Sequence, residues 1–289
     1  MLLRRLPLVL ILAGGCTYQV NRAATVPHMS PIMRSGAPLE SVAEISVGAS
    51  SLTTITNPTA SDSTAAVEVP GTQLEGGGRV RVGKHVALGL VMAEGLEATA
   101  KPAKTTQVPV DNGDPRGYGF SMLASIPTSD PHWHVGLGLE VLAWSVPYVE
   151  YKVCIDCGGA GFQIQEKGRN SVGQVALAVT PTYRSGKVDV YGGLTVRNHP
   201  TIKQKGIENG LDLSDDVEAG PLNVVASVGV DVDLGGGVRG GAVLYTPING
   251  TPVRYGPSIG AMLTFPLGRD AARAAAPAAA PGAAPGAVQ

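Results

Sequence analysis

Aromatic and charged side chains are scarce in this chain of 289 residues, at 4% and 16% of the sequence. The 22 Lys and Arg residues are matched by 23 Asp and Glu residues, which gives a formal net charge of −1. No stripe of basic residues with interleaved aromatic residues occurs, and such a stripe is the usual footprint of a nucleic-acid-binding protein. We therefore expect no nucleic-acid partner.

Sequence motifs of catalysis are missing as well. The chain contains no Gly-x-Ser-x-Gly elbow, no Walker loop and no zinc-peptidase helix. The run Gly76-Gly77-Gly78 lacks the helix and the Lys that a phosphate-binding loop needs. We predict that the protein is not an enzyme and that it needs no cofactor and no metal.

A hydrophobic run of about 20 residues, which a membrane-spanning helix needs, is also absent. Residues 6–13 are apolar, follow the basic Arg4 and Arg5, and precede two glycines and Cys16. A short apolar segment with these flanks is typical of a cleaved export signal. We predict a signal peptide over residues 1–15.

The string Leu-Ala-Gly-Gly-Cys at residues 12–16 resembles the bacterial lipobox. The resemblance implies cleavage before Cys16, a diacylglycerol on its thiol and a further acyl chain on its new amino group, which together would anchor the protein stably. Thr17 stands where an inner-membrane retention signal has Asp. The resemblance therefore favours delivery to the outer membrane by the lipoprotein-sorting machinery. The alternative is an ordinary secretory signal with a coincidental cysteine.

Proline-containing segments without periodicity flank a central domain. Residues 16–40 carry three prolines, and we interpret them as a lipidated flexible tether. Residues 269–289 are almost all Ala, Pro and Gly, and their prolines interrupt any helix, so we predict a disordered tail. The domain between these segments covers residues 41–268.

Apolar residues alternate with small or polar ones throughout the central domain. In residues 222–234 every second residue from Leu222 to Leu234 is apolar, and the other face carries Asn223, Asp231 and Asp233. Strict alternation over this length predicts a half-buried strand. The same test predicts ten strands, at residues 42–55, 73–83, 86–98, 117–126, 133–145, 172–184, 187–198, 222–234, 237–247 and 254–267.

The connections between these strands are alternately short and long, which is typical of an up-and-down antiparallel barrel of the outer-membrane type. With ten strands, both termini are predicted on the side of the short turns, which is the periplasmic side. The short connections are 83–85, 127–132, 185–186 and 235–236, and the long ones are 56–72, 99–116, 146–171, 199–221 and 248–253.

The two faces of the strands differ in composition. One face is rich in Val and Leu, and the other carries small residues such as Gly136, Gly138 and Ser258. A narrow barrel has room mainly for small groups inside. We therefore assign the Val and Leu face to lipid and the small-residue face to the lumen.

Aromatic residues near strand ends agree with a membrane assignment, because amphipathic rings settle at the bilayer interface. The last predicted strand, which alternates from Tyr255 to Phe265, resembles the closing strand of bacterial outer-membrane barrels. That resemblance implies recognition by the barrel-insertion machinery. The predicted interfacial aromatics are Tyr118, Phe120, Trp133, Trp144, Tyr183, Tyr245, Tyr255 and Phe265.

Two sets of residues are candidates for sites. Cys154 and Cys157 form a lone Cys-x-x-Cys, and outside the cytosol a structural disulfide is the expected state, rather than a metal or redox site. Charged residues on the predicted lumen face form either a structural network or a narrow polar path. These lumen charges are Arg79, Arg81, Glu140, Asp189, Arg197, Asp231, Asp233 and Arg239.

The sequence thus favours a non-enzymatic outer-membrane β-barrel lipoprotein with a structural, adhesive or narrow-channel role. Its expected partners are membrane lipid, contacted through acylated Cys16 and the barrel exterior, and the sorting and insertion machineries. One alternative is a lipid-anchored soluble barrel, similar to lipocalins, that binds a small apolar ligand. Another is an outer-membrane enzyme with its site at the barrel rim.

Overall fold

The computed structural model describes residues 18–28, 30–32, 34–52, 55–56, 65–96, 113–154, 162–203, 216–248 and 254–268. Within these ranges no helix is long and apolar enough to cross a membrane. The strands are β1 (Tyr18–Thr25), β2 (Ala43–Leu52), β3 (Ile55–Thr56), β4 (Ala65–Glu68), β5 (Thr72–Gly83), β6 (Val86–Leu96), β7 (Arg116–Pro127), β8 (Trp133–Cys154), β9 (Phe162–Ser185), β10 (Val188–Lys203), β11 (Asp216–Gly235), β12 (Val238–Pro247), β13 (Arg254–Tyr255) and β14 (Ser258–Leu267).

Ten of these strands close into one antiparallel barrel. Each pairs with the next in the order β2, β5, β6, β7, β8, β9, β10, β11, β12 and β14, and β14 pairs with β2. Closure gives the backbone groups of every barrel strand partners on both sides and removes the open edges of a sheet. The predicted all-β up-and-down barrel of about ten strands is confirmed.

Tight turns join alternate strand pairs at one end of the barrel. Gly186 between β9 and β10 has φ 59°, and Gly236 and Gly237 between β11 and β12 have φ 66° and 82°. Glycine adopts this left-handed conformation without the steric cost of a Cβ, so hairpins this short favour it. We call this end of the barrel the short-turn end, and the opposite end the long-connection end.

Two hairpins are longer than the sequence predicts. β8 ends at Cys154 and β9 begins at Phe162, so most of the predicted loop 146–171 is a continuous antiparallel ladder with one bulge. Val146 and Val149, on opposite faces of β8, are both 0% exposed. A strand that is covered on both faces shows no alternation of polarity, which explains why its extension is missing from the prediction. β10 and β11 also extend into the predicted loop 199–221.

The N-terminal region contradicts the predicted tether. β1 pairs with the protruding part of β8, from Tyr18 opposite Cys154 to Ala24 opposite Tyr148. The described residues between 26 and 41 then run inside the barrel, and we call this stretch the lumen segment. Its prolines exclude a regular strand, but barrel side chains bond its backbone instead. The predicted acylation site Cys16 and the C-terminal tail lie outside the described residues.

The burial pattern places the aliphatic face of the strands outward. Val228 in β11 and Leu90 in β6 are 54% and 62% exposed, whereas Val225 and Val91 on the inward faces of the same strands are 0% and 8% exposed. We call the outward set the aliphatic belt. Its members are Ile45, Val47, Leu88, Leu90, Leu137, Val141, Val175, Leu177, Val179, Val190, Leu194, Val228, Leu244, Ile259 and Leu263.

Exposed aromatic rings lie at both ends of the belt. Trp133 and Tyr183 project outward at the short-turn end, with ring centroids 5.3 Å apart, and Phe265 lies at the same end. Tyr118 and Phe120 project outward towards the long-connection end and are 67% and 69% exposed. These five side chains occupy the positions expected of interfacial aromatics.

Two predicted interfacial aromatics point inward instead. Trp144 and Tyr245 are 2% and 3% exposed, and the indole Nε1 of Trp144 donates a hydrogen bond to Oε1 of Gln174 at 2.9 Å. Proximity to a strand end does not decide which face a side chain takes, whereas its parity along the strand does. The side chain of Tyr255 lies outside the described part of the chain.

Candidate functional site in the barrel lumen

The lumen segment fills much of the barrel interior. Val26, His28 and Ser30 are 0%, 1% and 3% exposed, and Ala37 near the other end of the segment is 5% exposed. A stretch with this burial cannot be a solvated tether. Three successive levels of contact hold it to the wall, and they are described from the long-connection end to the short-turn end.

At the upper level, two wall side chains hydrogen-bond the segment. The Nε2 of His199 in β10 donates to the carbonyl oxygen of Pro27 at 2.6 Å, and the Nε2 of His28 lies 2.6 Å from Oγ of Ser50 in β2. A buried apolar cluster that includes Val26 begins at this level and extends along the wall as far as Tyr191. It contains Ala24, Val26, Val69, Val91, Ala93, Leu142, Trp144, Val146, Tyr148, Val172, Tyr191, Val225, Val243 and Tyr245.

At the middle level, Ser30 meets a charged layer of the wall. The guanidinium of Arg197 in β10 donates to the backbone carbonyl of Ser30, and the Ser30 hydroxyl donates to Oε1 of Glu75 in β5 at 2.5 Å. Nη2 of Arg197 also lies 3.6 Å from Oε2 of Glu140 in β8. Both side chains of this ion pair are nearly inaccessible, at 4% and 11% exposed.

At the lower level, Arg34 and Ser35 bridge opposite sides of the wall. Nη2 of Arg34 donates to Oγ of Ser46 in β2 at 2.7 Å. Ser35 donates from its hydroxyl to Oδ2 of Asp189 at 2.9 Å and from its backbone N–H to Oδ2 of Asp231 at 3.3 Å. These contacts join β2 to β10 and β11 through the segment.

Gly36 makes the closest backbone approach to the wall. Its N–H donates to Oγ1 of Thr182 in β9 at 2.8 Å, and a Cβ added to Gly136 in β8 would overlap the backbone of Gly36. The small residues predicted to face the lumen therefore have a specific use here. Gly136 and Gly138 leave the room that Gly36 and Ile32 occupy.

The structure brings most of the predicted lumen charges into ion pairs or onto the lumen segment. Arg79 pairs with Glu44, and Asp189 pairs with Arg184 at 2.7 Å and Arg239 at 2.6 Å. Arg81 donates to the backbone carbonyl of Leu39 at 3.3 Å. Asp233 differs from the others, because its Oδ1 accepts from the N–H of Gly235 at 2.8 Å in an exposed turn.

Sequence reasoning missed four charged groups of this network. Glu44, Glu75 and Arg184 lie on the inward faces of their strands, and the parity of each strand could have identified them. Arg34 was beyond reach, because no periodic pattern places the lumen segment inside the barrel.

A cavity of about 780 Å³ remains at the short-turn end, beside the later part of the lumen segment, which lines it from Arg34 to Ser41. Basic and acidic side chains line it in balanced numbers, and Ser41, Gly186, Lys187 and Pro266 lie at its rim. The cavity is also lined by Arg34, Ser35, Glu44, Arg79, Asp189 and Asp231. The lumen segment thus leaves part of the lumen unfilled at the short-turn end.

The cysteine prediction is not tested by the structure. Cys154 is the last residue of β8, and Cys157 lies outside the described residues, so the disulfide stays a prediction. Among the residues that the structure describes, no group of three or more His, Cys, Asp or Glu side chains could hold a metal ion.

These observations define a class: a closed ten-stranded antiparallel barrel of the outer-membrane type, with a filled lumen. No protein-family model and no curated protein sequence matches the chain. Solved structures share the fold at low identity. The β-domain of the Bordetella autotransporter Brka is 12% identical, with a TM-score of 0.43, over 78% of this chain and 100% of that chain.

Two further structures are similar in the same way. The translocator domain of the autotransporter NalP from Neisseria meningitidis is 11% identical, with a TM-score of 0.32, over 78% of this chain and 87% of that chain. Salmonella typhi OmpF, solved with daunomycin, is 10% identical, with a TM-score of 0.21, over 77% of this chain and 96% of that chain. The similarity concerns the barrel fold alone.

Proposed function

We propose that this protein is a bacterial outer-membrane lipoprotein whose barrel spans the membrane and is kept closed by its own lumen segment, with a structural and surface-display role. The observation that carries the proposal is the outward aliphatic belt around a polar, occupied interior. A barrel in water would reverse this arrangement, because large contiguous apolar surfaces are rare on soluble monomers.

The height of the belt supports a membrane span. Tyr118 is level with Ala143, which lies ten residues along β8 from Trp133. Ten residues cover about 33 Å of strand, or about 25 Å along the axis of a barrel with strands tilted by about 40°. That height matches the apolar band of outer-membrane barrels, which is about 25 Å.

The filled lumen argues for a closed barrel rather than a diffusion channel. The lumen segment bonds to β2, β5, β9, β10 and β11, and Gly36 packs directly against the backbone of Gly136 in the wall. A solute would have to displace this segment to pass. A narrow-channel role therefore needs a signal that moves it.

The same orientation disfavours the lipocalin-like alternative. Such a barrel needs an apolar interior for its ligand, whereas the cavity here is bounded by ion-paired groups such as Asp189 and Arg239. The hairpins β8–β9 and β10–β11 extend beyond the belt at the long-connection end. They supply the surface that a display or adhesive role requires.

Lipid-embedded quenchers test the proposal. A fluorophore is attached to Val228→Cys in a chain that also carries Cys154→Ser and Cys157→Ser, and the matched control is Ile164→Cys on the protruding hairpin. Both side chains are exposed, at 54% and 43%. We expect quenching by brominated acyl chains at position 228 and little at position 164. Equal absence of quenching at both positions would contradict a membrane span.

A further inference from the structure

We infer that the chain is threaded through its own barrel, so that its N-terminal end lies on the cell-surface side of the outer membrane and any acyl group on Cys16 lies on that side too. This rests on the proposed membrane span. It reverses, for the N-terminal end alone, the expectation that both termini lie at the periplasmic, short-turn end.

The direction of the chain follows from two strand pairings. β8 begins at Trp133 beside the short-turn end and runs to Cys154 at the long-connection end, where Tyr18 pairs with it. β2 begins at Ala43 opposite Leu267, back at the short-turn end. The residues between β1 and β2 therefore cross the whole lumen once, from the long-connection end to the short-turn end.

The contacts of the lumen segment follow the same direction. His28 bonds to Ser50, near the end of β2, whereas Arg34 bonds to Ser46 and Glu44, nearer its beginning. Glu40 reaches Arg184 beside the short turn of β9. Each step along the segment is thus a step down the barrel wall, which a looped-back path could not produce.

Distance excludes a periplasmic anchor. β8 has 22 residues, which span about 70 Å of strand and about 55 Å along the axis for a tilt of about 40°. Cys16 precedes Tyr18 by two residues, and two extended residues span about 7 Å. An acyl chain at Cys16 therefore cannot reach the periplasmic leaflet while β1 stays paired with β8.

Threading also explains the composition of the lumen segment. A segment that must lie in a narrow barrel needs room where it passes close to the wall and few backbone groups without partners. Gly36 passes against Gly136, and wall side chains bond the carbonyls of Pro27 and Ser30. A tether that merely connected a periplasmic lipid to β2 would need none of these contacts.

Epitope accessibility on intact cells tests the inference. A short epitope is inserted directly before Tyr18, and matched controls carry it in the Gly186-Lys187 turn or between Lys203 and Asp216. We expect antibody to bind the first and third insertions on intact cells, and the turn insertion only after the outer membrane is permeabilised. Heat-modifiable gel migration identifies the insertions that fold.

The outcomes separate this inference from the proposed function. An epitope before Tyr18 that needs permeabilisation, like the turn control, would overturn threading while leaving the membrane span intact. Equal accessibility of all three epitopes, with extraction that needs no detergent, would overturn the span itself.

A second measurement addresses the acyl group and does not depend on antibody. Cells are fed a labelled fatty acid, and a protease site replaces the epitope before Tyr18. Protease added to intact cells is expected to cut the acylated end from the barrel, so that the barrel migrates on a gel without the label. Label that stays with the barrel, or that never enters the wild-type protein, would overturn the assignment of a surface-side acyl group.

Discussion

The barrel wall and the lumen segment obey different rules, although they are parts of one chain. In the wall, strands satisfy each other's backbone groups, so side chains alternate between outward-facing and inward-facing positions. In the lumen segment, the partners of the backbone are side chains of the wall, such as Thr182 for Gly36. Periodicity therefore specifies the wall, while only three-dimensional context specifies the segment.

Deletion of residues 18–40, which removes β1 together with the lumen segment, is the strongest way to break this comparison. The ten strands of the closed barrel do not include these residues, so we expect the barrel to assemble, still heat-modifiable, with a lumen that conducts ions. Planar-bilayer recordings should show steady conductance that the full chain lacks. Deleting residues 269–289 is the matched control and should leave the barrel closed. If the barrel conducted no ions after the first deletion, this would contradict the claim that the lumen segment closes the barrel.

A buried ion pair should matter far more than an exposed one. Glu140→Leu leaves Arg197 buried beside the lumen segment without its carboxylate partner, and breaking such a pair typically costs about 3–5 kcal/mol. Glu94→Leu removes an ion pair with Arg116 in which the Glu94 side chain is 40% exposed and the Arg116 side chain 67% exposed. The loss of such a surface pair costs about 0–1 kcal/mol of stability. Urea unfolding in detergent micelles measures both changes. Equal destabilisation would show that the middle level is not a buried site.

A charge in the aliphatic belt should be costly only where lipid covers it. Val228→Arg is expected to destabilise the barrel by about 2–4 kcal/mol, as Arg does near a bilayer midplane. Ile164→Arg, on the protruding hairpin, should change stability little, although Ile164 is also exposed. Unfolding in lipid vesicles compares the two variants. An effect of the same size at both positions would argue against a lipid-covered belt.

Close packing of the segment against the wall gives the smallest effect. Gly136→Ala places a Cβ on the backbone of Gly36, and overpacking of this kind costs about 1–3 kcal/mol. Gly173→Ala in β9 is the control, because nothing lies within 4 Å of a Cβ there. Samples are heated to a series of temperatures before electrophoresis. The temperature at which the folded band converts to the unfolded band should fall for the first variant and stay unchanged for the second. A reversed order would contradict the approach of Gly36 to the wall.

The sequence predicted the wall because its physics is local. Alternation from Leu222 to Leu234 marks β11, and the parity of that strand places Asp231 on the lumen side, where Ser35 bonds it. The prediction failed where a strand lost its alternation. Val146 and Val149 lie on opposite faces of β8 and are both buried. The extension of β8 therefore shows no alternation of polarity, and its sequence resembles that of a loop.

The lumen segment could not be predicted for a different reason. Its prolines and its lack of periodicity are equally typical of a flexible tether. What fixes its position is the set of partners from distant parts of the chain, such as Arg197 at Ser30 and Asp189 at Ser35. Strand parity correctly predicted which charged side chains point inward. It gave no indication that a segment of the same chain would contact them.

Cross-linking the segment to the wall in intact cells tests the central claim most directly. His28→Cys and Ser50→Cys replace side chains that touch in the lumen, at 2.6 Å between Nε2 and Oγ, in a chain with Cys154→Ser and Cys157→Ser. A short thiol-to-thiol cross-linker is expected to join the two positions within one chain, and each single-cysteine variant should give no product. Two thiols that remain separately reactive in the folded, membrane-inserted barrel would contradict the occupied lumen.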